Sequence, residues 1–125
     1  MPYEADAINR AFLDLDALID EQPDPPWRLP VVADSAFRVI LFRWPPGMAN
    51  PLHFHPRAAE IFMILRGRAI FEIGDELPRA AGPGELMFAA PGVKHTVYPT
   101  VDEEMVMLAV LGPNEDEPDE TIDLE

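Results

Sequence analysis

Proline constrains the fold of this chain more than any other residue type. Fifteen of the 125 residues are proline, and the middle of the sequence carries prolines at positions 45, 46, 51, 56, 78, 83, 91 and 99. An interior proline removes a helical hydrogen bond and clashes with the preceding turn, so no long helix fits in this region. The sequence therefore predicts short strands separated by turns.

Six apolar segments have the length and composition of such strands. They are rich in aliphatic, aromatic and methionine residues, and turn signals separate them, among them the sequences around Gly67 and Gly74. The segments span residues 37–44, 60–65, 68–73, 86–89, 94–98 and 105–111. A series of short strands at this spacing predicts an all-β fold, an antiparallel sandwich or barrel.

The two ends of the chain differ from this strand-rich region. Apolar residues recur at three- and four-residue spacing over residues 8–19, which predicts a short N-terminal amphipathic helix. We therefore expect three parts: a helix with a proline-rich connector over residues 1–30, a β-domain over 31–111, and an acidic tail over 112–125. The tail holds seven acidic and no basic residues, a composition typical of disorder.

Charge and composition exclude several function classes. Nine Lys and Arg against 23 Asp and Glu give a net charge of −14, which repels nucleic-acid phosphates and anionic membranes, so we expect neither as a partner. The absence of cysteine excludes disulfides and thiol catalysis. The longest apolar run, residues 105–111, is far shorter than the ~20 residues of a membrane span. Because the first residues are acidic and do not resemble a secretory signal, we expect a cytoplasmic protein.

Three histidines and one glutamate give the strongest chemical signal. His53 and His55 stand two residues apart on a predicted strand, and the two-residue period of a strand puts both imidazoles on one face. Glu60 opens the next apolar strand after a turn, and His95 enters a later one. Such a set suits a divalent ion such as Fe, Mn, Ni, Zn or Cu. The alternative is a metal-free group of buried histidines hydrogen-bonded to one another or to water.

The spacing of these residues resembles the first sequence motif of the cupin superfamily. All its fixed positions are filled, by Gly47, His53, His55, Glu60 and Gly67. The second motif is matched in part, by Gly84, Gly92 and His95. The resemblance implies a single-domain, cupin-type antiparallel β-barrel of jelly-roll-like form. It also implies one divalent metal ion per chain, with His53, His55, Glu60 and His95 as its ligands.

The predicted site indicates a metal-dependent enzyme, of oxidoreductase or dioxygenase type, that acts on a small organic molecule. Glu60 is the candidate catalytic base. Phe62 and Ile64, which share the strand face of Glu60, and Arg57, which lies between the ligands, are candidates for the substrate pocket. Two alternatives remain open: an isomerase or lyase acting on a sugar or small organic acid, and a non-catalytic module that binds a small ligand or a metal.

Two strands are apolar on both faces, which predicts a homodimer. In residues 60–65, Ile61, Met63 and Leu65 lie opposite the face that carries Glu60, and residues 105–111 repeat the pattern. An outer face in contact with water should alternate with polar residues. The N-terminal helix can cover one such patch, and a second subunit is the simplest cover for the other.

Overall fold

This computed structural model describes residues 7–113 and 122–124. These residues contain ten short strands and one short helix, joined by turns and loops. The helix α1 is Leu15–Asp20, and the strands are β1 Trp27–Ala33, β2 Arg38–Trp44, β3 His53–Phe54, β4 Ala59–Gly67, β5 Ala69–Ile73, β6 Arg79–Ala81, β7 Leu86–Ala89, β8 His95–Pro99, β9 Met105–Gly112 and β10 Ile122–Asp123. Within these residues no helix is long and apolar enough to cross a membrane.

The strands form two antiparallel five-stranded sheets. One sheet has the order β1-β2-β9-β4-β7 and the other the order β10-β3-β8-β5-β6. The inward-facing residues of both sheets form the main core, which includes Ile40, Phe62, Ile64, Phe71, Val97 and Met107. The predicted all-β, antiparallel, jelly-roll-like fold is confirmed. Each of the six predicted segments contains a strand, because alternation or a continuous apolar run marked it in the sequence.

Three strands are absent from the sequence prediction. β1 begins at Trp27, inside the predicted connector, and it contains Pro30. Proline is accepted there because β1 is an edge strand, which has a side without ladder hydrogen bonds. β6 and β10 have only three and two residues and carry no apolar pattern that could announce them.

The N-terminal helix is shorter than predicted, and the expectation of a helix over residues 8–19 is wrong for its first half. Asn9 has a left-handed backbone, with φ of 54°, and its N–H donates to the Val31 carbonyl at 2.9 Å. Its side chain both accepts from the Ala33 N–H at 2.7 Å and donates to the Ala33 carbonyl at 3.1 Å. These bonds tie the segment to the edge of β1, so the helix begins only at Leu15.

The helix and the segment before it cover half of an apolar outer face. Leu41 and Val106 point outward from the first sheet and are buried against Ile19 and Val31 in a second core cluster. Arg66 of β4 secures the helix with hydrogen bonds to its acidic side chains. Val106, one of the residues predicted to need a second subunit, is therefore already covered within the chain.

The other half of this outer face is not covered by described residues. Ile61 and Met63 of β4 lie opposite Phe88 and Leu86 of the edge strand β7, and we call these four residues the β4–β7 patch. Met63 is 39%, Phe88 54% and Leu86 60% exposed.

The acidic tail makes contacts at its far end. The backbone of Ile122 and Asp123 pairs with Phe54 and His53 of β3, and the Leu124 N–H donates to the Leu52 carbonyl at 2.8 Å. The structure thus differs from the expectation of disorder at these residues. Residues 114–121 and 125 lie outside the described part of the chain, and for them disorder stays a prediction.

Two glycines allow a matched test of the turn geometry. Gly47 and Gly67 have nearly equal positive φ values, 79° and 76°. A Cβ on Gly47 would meet nothing within 4 Å, whereas one on Gly67 would overlap the Glu104 carbonyl oxygen and lie 3.1 Å from the Met105 Cα. The left-handed backbone alone should make Gly47→Ala cost about 1 to 2 kcal/mol of the free energy of unfolding.

Gly67→Ala should cost about 1 to 3 kcal/mol more, because the backbone of β9 must also move. Urea unfolding of both variants and the unchanged protein measures the difference. Equal losses in the two variants would show that Gly67 lies farther from Met105 than the 3.1 Å given by its Cβ position.

Candidate metal centre

Both sheets contribute to the site that the sequence predicts. His53 of β3 lies directly opposite His95 of β8, and His55 follows two residues after His53 on the same side. Glu60 comes from β4 of the other sheet, where its side chain shares the inward face with Phe62. The structure therefore brings all four predicted ligands together between the sheets.

The four side chains lie close enough to share one ion. Their ligand atoms are all within 4.8 Å of one another. The Nε2 atoms of His55 and His95 both lie 3.0 Å from Oε1 of Glu60. Two donors bound at a right angle to one ion, each about 2.1 Å from it, are about 3.0 Å apart. The observed spacing thus matches neighbouring ligands of a single metal ion.

Backbone carbonyls fix the orientation of two imidazoles. Nδ1 of His53 lies 2.7 Å from the Pro51 carbonyl, and Nδ1 of His95 lies 3.0 Å from the Val93 carbonyl. A carbonyl only accepts, so in both rings Nδ1–H is the donor. The neutral ring then carries its lone pair on Nε2, the atom free to bind a metal. Metal-binding histidines usually donate such a hydrogen bond from the ring nitrogen that does not bind the metal.

The contact between His95 and Glu60 calls for a cation. His95 is only 2% exposed, and its Nε2 atom is buried without an aligned hydrogen bond, although Oε1 of Glu60 is close. With the proton of His95 on Nδ1, the lone pair of Nε2 faces a carboxylate oxygen, and two acceptors repel each other. A divalent ion bound to both atoms removes the repulsion. The four residues therefore fit a metal ion.

The ionisation of the site also suits a metal. Burial raises the pKa of the Glu60 carboxyl, but the hydrogen bond with the His55 imidazole lowers it, and the pKa lies below its ordinary value. Burial lowers the pKa of His53. At neutral pH these two side chains are thus a carboxylate and a neutral imidazole, the forms that bind metals.

Two loops hold the ligand-bearing strands in place. Oδ1 of Asn50 accepts a hydrogen bond from the Val97 N–H at 3.1 Å and lies 2.9 Å from the Thr96 hydroxyl. The N–H of Gly92 donates to the His55 carbonyl at 2.8 Å. Asn50 is a positioning residue that sequence reasoning missed, because an asparagine before a strand carries no distinguishing signal.

A cavity of about 170 Å³ contains the four ligands. Phe62, one of the three candidates for the substrate pocket, lines it. Ile64 and Arg57, the other two candidates, are not brought to the cavity. Ile64 is packed in the main core toward the far end of β4, and Arg57 is exposed on the turn before β4. Ile64 shares the strand face of Glu60 but does not reach the cavity, because the cavity extends along only part of β4.

Two arginines line the cavity that the sequence interpretation did not include. They are Arg28 of β1 and Arg38 of β2. A signal for Arg38 exists, since it shares its strand face with the apolar residues Ile40, Phe42 and Trp44. No sequence signal marked Arg28, because the residue was assigned to a connector and a connector has no inward face.

Together, the antiparallel double sheet and its three histidines and one glutamate define a class of small β-sandwich proteins with an interior site that could hold a metal ion. The chain belongs to the cupin family, since the family model described as "Cupin domain" matches residues 40–111.

Known relatives share this region. Dimethylsulfoniopropionate lyase DddQ of Ruegeria pomeroyi is 38% identical over 81 residues, which cover 65% of this chain and 39% of that protein. Its crystal structure superposes with a TM-score of 0.64 at 28% identity, covering 73% of this chain and 44% of the other. Germin-like protein 3-7 of Oryza sativa subsp. japonica is 37% identical over 57 residues, 42% of this chain and 24% of that protein. This chain thus matches about two fifths of the lyase and about a quarter of the germin-like protein.

A structure of similar length supports the fold over nearly the whole chain. The uncharacterized conserved protein with a double-stranded β-helix domain from Klebsiella pneumoniae superposes with a TM-score of 0.75. The match covers 92% of both chains at 18% identity, so it bears on the fold alone.

Removal of ligands should abolish metal binding. We expect the unchanged protein to bind one divalent ion per chain and the double variant His53→Ala/His95→Ala to bind none, as measured by elemental analysis after dialysis. Glu60→Gln should weaken binding by at least about tenfold, the lower end of the cost of losing even an indirect metal partner.

Glu72→Gln is the matched control. Glu72 lies on β5 and accepts a hydrogen bond from the Tyr98 hydroxyl at 2.6 Å, outside the cluster. Metal affinity should be unchanged in this variant. A full complement of metal in the double histidine variant would contradict the assignment.

Proposed function

We propose that this cupin is a metal-dependent enzyme that acts on a small organic molecule. One divalent ion per chain would be held by His53, His55, Glu60 and His95, and when bound it supplies a Lewis acid that stabilises negative charge on a substrate oxygen. The observation that carries the proposal is the buried contact of Glu60 with two imidazole nitrogens at 3.0 Å, inside a cavity of about 170 Å³.

Lyase chemistry is the reaction class with the best support. The relative that is 38% identical is a dimethylsulfoniopropionate lyase, and a propionate is a small organic acid. In such an elimination a base takes the proton next to the carboxylate. The electrons of that C–H bond form a carbon–carbon double bond, and the leaving group departs with the pair of its own bond. Glu60 is the base that we propose.

An oxidoreductase, such as a dioxygenase, is the second candidate. Its support is the donor set itself, because imidazole and carboxylate ligands suit redox-active ions such as Fe, Cu and Mn. The two reaction classes differ in their need for oxygen. A lyase works without oxygen, whereas a dioxygenase consumes it in proportion to product.

Turnover with and without oxygen separates the candidates. We would load the protein with Fe, Mn, Ni, Zn or Cu and supply small carboxylates with a leaving group on the β-carbon, dimethylsulfoniopropionate among them. We expect an unsaturated acid to form under nitrogen. At saturating metal, Glu60→Gln should lower kcat by at least about a hundredfold, the usual contribution of a general base. Glu72→Gln should leave it unchanged.

Other outcomes would replace the proposal. Oxygen uptake that depends on substrate, with no product under nitrogen, would favour the dioxygenase. Ligand binding without turnover under either condition would make the protein a non-catalytic binding module.

A cytoplasmic location and the absence of nucleic-acid and membrane partners stay predictions from composition.

We propose further that two copies pair through the β4–β7 patch. Its exposed residues Met63, Leu86 and Phe88 belong to the same outer face whose other half is buried under the chain's own N-terminal segment. Leu86 and Phe88 also border a cleft of about 230 Å³ beside β6 and β7. An apolar patch on an edge strand invites pairing with another chain. A two-fold dimer is the commonest solution.

The mass in solution tests this pairing. Sedimentation should give twice the 14.0 kDa chain mass, and Phe88→Glu should reduce it to that of one chain. Phe12→Glu is the control, because Phe12 is 92% exposed and lies outside the patch. A dimer that survives Phe88→Glu would place the interface elsewhere.

A further inference from the structure

We propose that Arg38, assisted by Arg28, binds the carboxylate of the substrate and so selects small organic acids. The inference rests on the proposed function, because it concerns a molecule that reaches the same metal centre. It goes beyond that function in naming the chemical class of the substrate and the residues that recognise it. Both arginines line the cavity that contains the four metal-ligand candidates.

The backbone places Arg38 level with Glu60. Arg38 of β2 lies opposite Leu111 of β9, and Leu111 lies opposite Glu60 of β4. The three residues form a row across three neighbouring strands, and all three line the cavity. Two strand spacings separate Arg38 from Glu60, about 10 Å between Cα atoms. An arginine side chain spans much of that distance, so its guanidinium can contact a small molecule bound beside Glu60.

Arg28 lies farther from the centre on the same wall. It is opposite Phe42 of β2, four residues along that strand from Arg38, and it is exposed to solvent. This position suits a first contact for an anion that enters the cavity. Arg38 is half-buried, and its position suits the final contact with the bound anion.

The remaining lining excludes most other substrate classes. Apart from the two arginines and the metal-ligand candidates, Asn50 is the one polar side chain that lines this cavity among the described residues. The other lining residues are apolar: Ile40, Phe42, Trp44, Phe62, Val97, Met107 and Leu111. A sugar would leave its hydroxyl groups without partners on such walls. A molecule with one carboxylate and a short apolar body satisfies both the guanidinium groups and the walls.

The charge and size of the cavity agree with this class. Among the described residues, Glu60 is the one acidic side chain that lines the cavity, and the two arginines are the cationic ones. Arginine binds carboxylates through two parallel hydrogen bonds, which gives orientation as well as affinity. A volume of about 170 Å³ corresponds to roughly six water molecules at about 30 Å³ each. A cavity of this volume suits a small acid.

Paired ligands with and without a charge test the inference. We would load the protein with Co(II) and measure the binding of butyrate and of butyramide by calorimetry and by the cobalt absorption spectrum. Arg38→Gln should weaken butyrate binding by about tenfold or more and leave butyramide binding unchanged. Arg28→Gln should have a smaller effect in the same direction. Arg79→Gln is the control, because Arg79 pairs with Glu85 at the surface and lies outside this cavity.

A conservative variant separates recognition from folding. Arg38→Lys keeps the charge and loses the paired hydrogen bonds, so butyrate affinity should fall between those of the unchanged protein and Arg38→Gln. Equal butyrate affinity in all three proteins, each with one cobalt per chain, would overturn the inference and leave the proposed function intact. Failure of the unchanged protein to bind cobalt or another divalent ion would instead overturn the proposed function itself.

Discussion

The contact of Glu60 with His55 and His95 is the interaction on which the rest of the site depends. It joins a carboxylate from one sheet to imidazoles from the other, in a place where all three residues are at most 6% exposed. Burying a carboxylate is costly unless partners compensate it. The loops that surround the centre hold these side chains in place. Asn50 is hydrogen-bonded to β8, and the Gly92 N–H donates to the carbonyl of His55.

The centre could be predicted from sequence because each of its parts depends on local geometry. The two-residue period of a strand puts His53 and His55 on one side, and the same period separates Glu60 and Phe62 from Ile61 and Met63. These alternations hold in the structure. The pairing of His53 with His95 across two strands is a matter of register, which periodicity alone does not give. There the resemblance to cupin motifs supplied the missing information.

The N-terminal segment shows where periodicity fails. The apolar residues of the predicted helix, among them Ile8, Leu15, Leu18 and Ile19, do pack on the outer face of the sheet. Their spacing predicted the burial of these four residues but not the conformation of the segment, and Phe12, which has the same spacing, is 92% exposed. The side chain of Asn9 decides the conformation, because it forms two hydrogen bonds with Ala33, 24 residues away. A bond between such distant residues leaves no trace in a local pattern.

The arginines of the cavity connect the charge of the whole chain with the chemistry of its interior. The chain carries a net charge of −14, which at first sight disfavours an anionic substrate. Exposed charges are screened over about 8 Å at physiological ionic strength, so the acidic surface acts only weakly on a molecule at the cavity mouth. Inside, screening is much weaker, and Arg38 acts on the same molecule at close range. The arginines of the cavity wall therefore act more strongly on this molecule than the distant surface charges, and an acidic protein can select an acid.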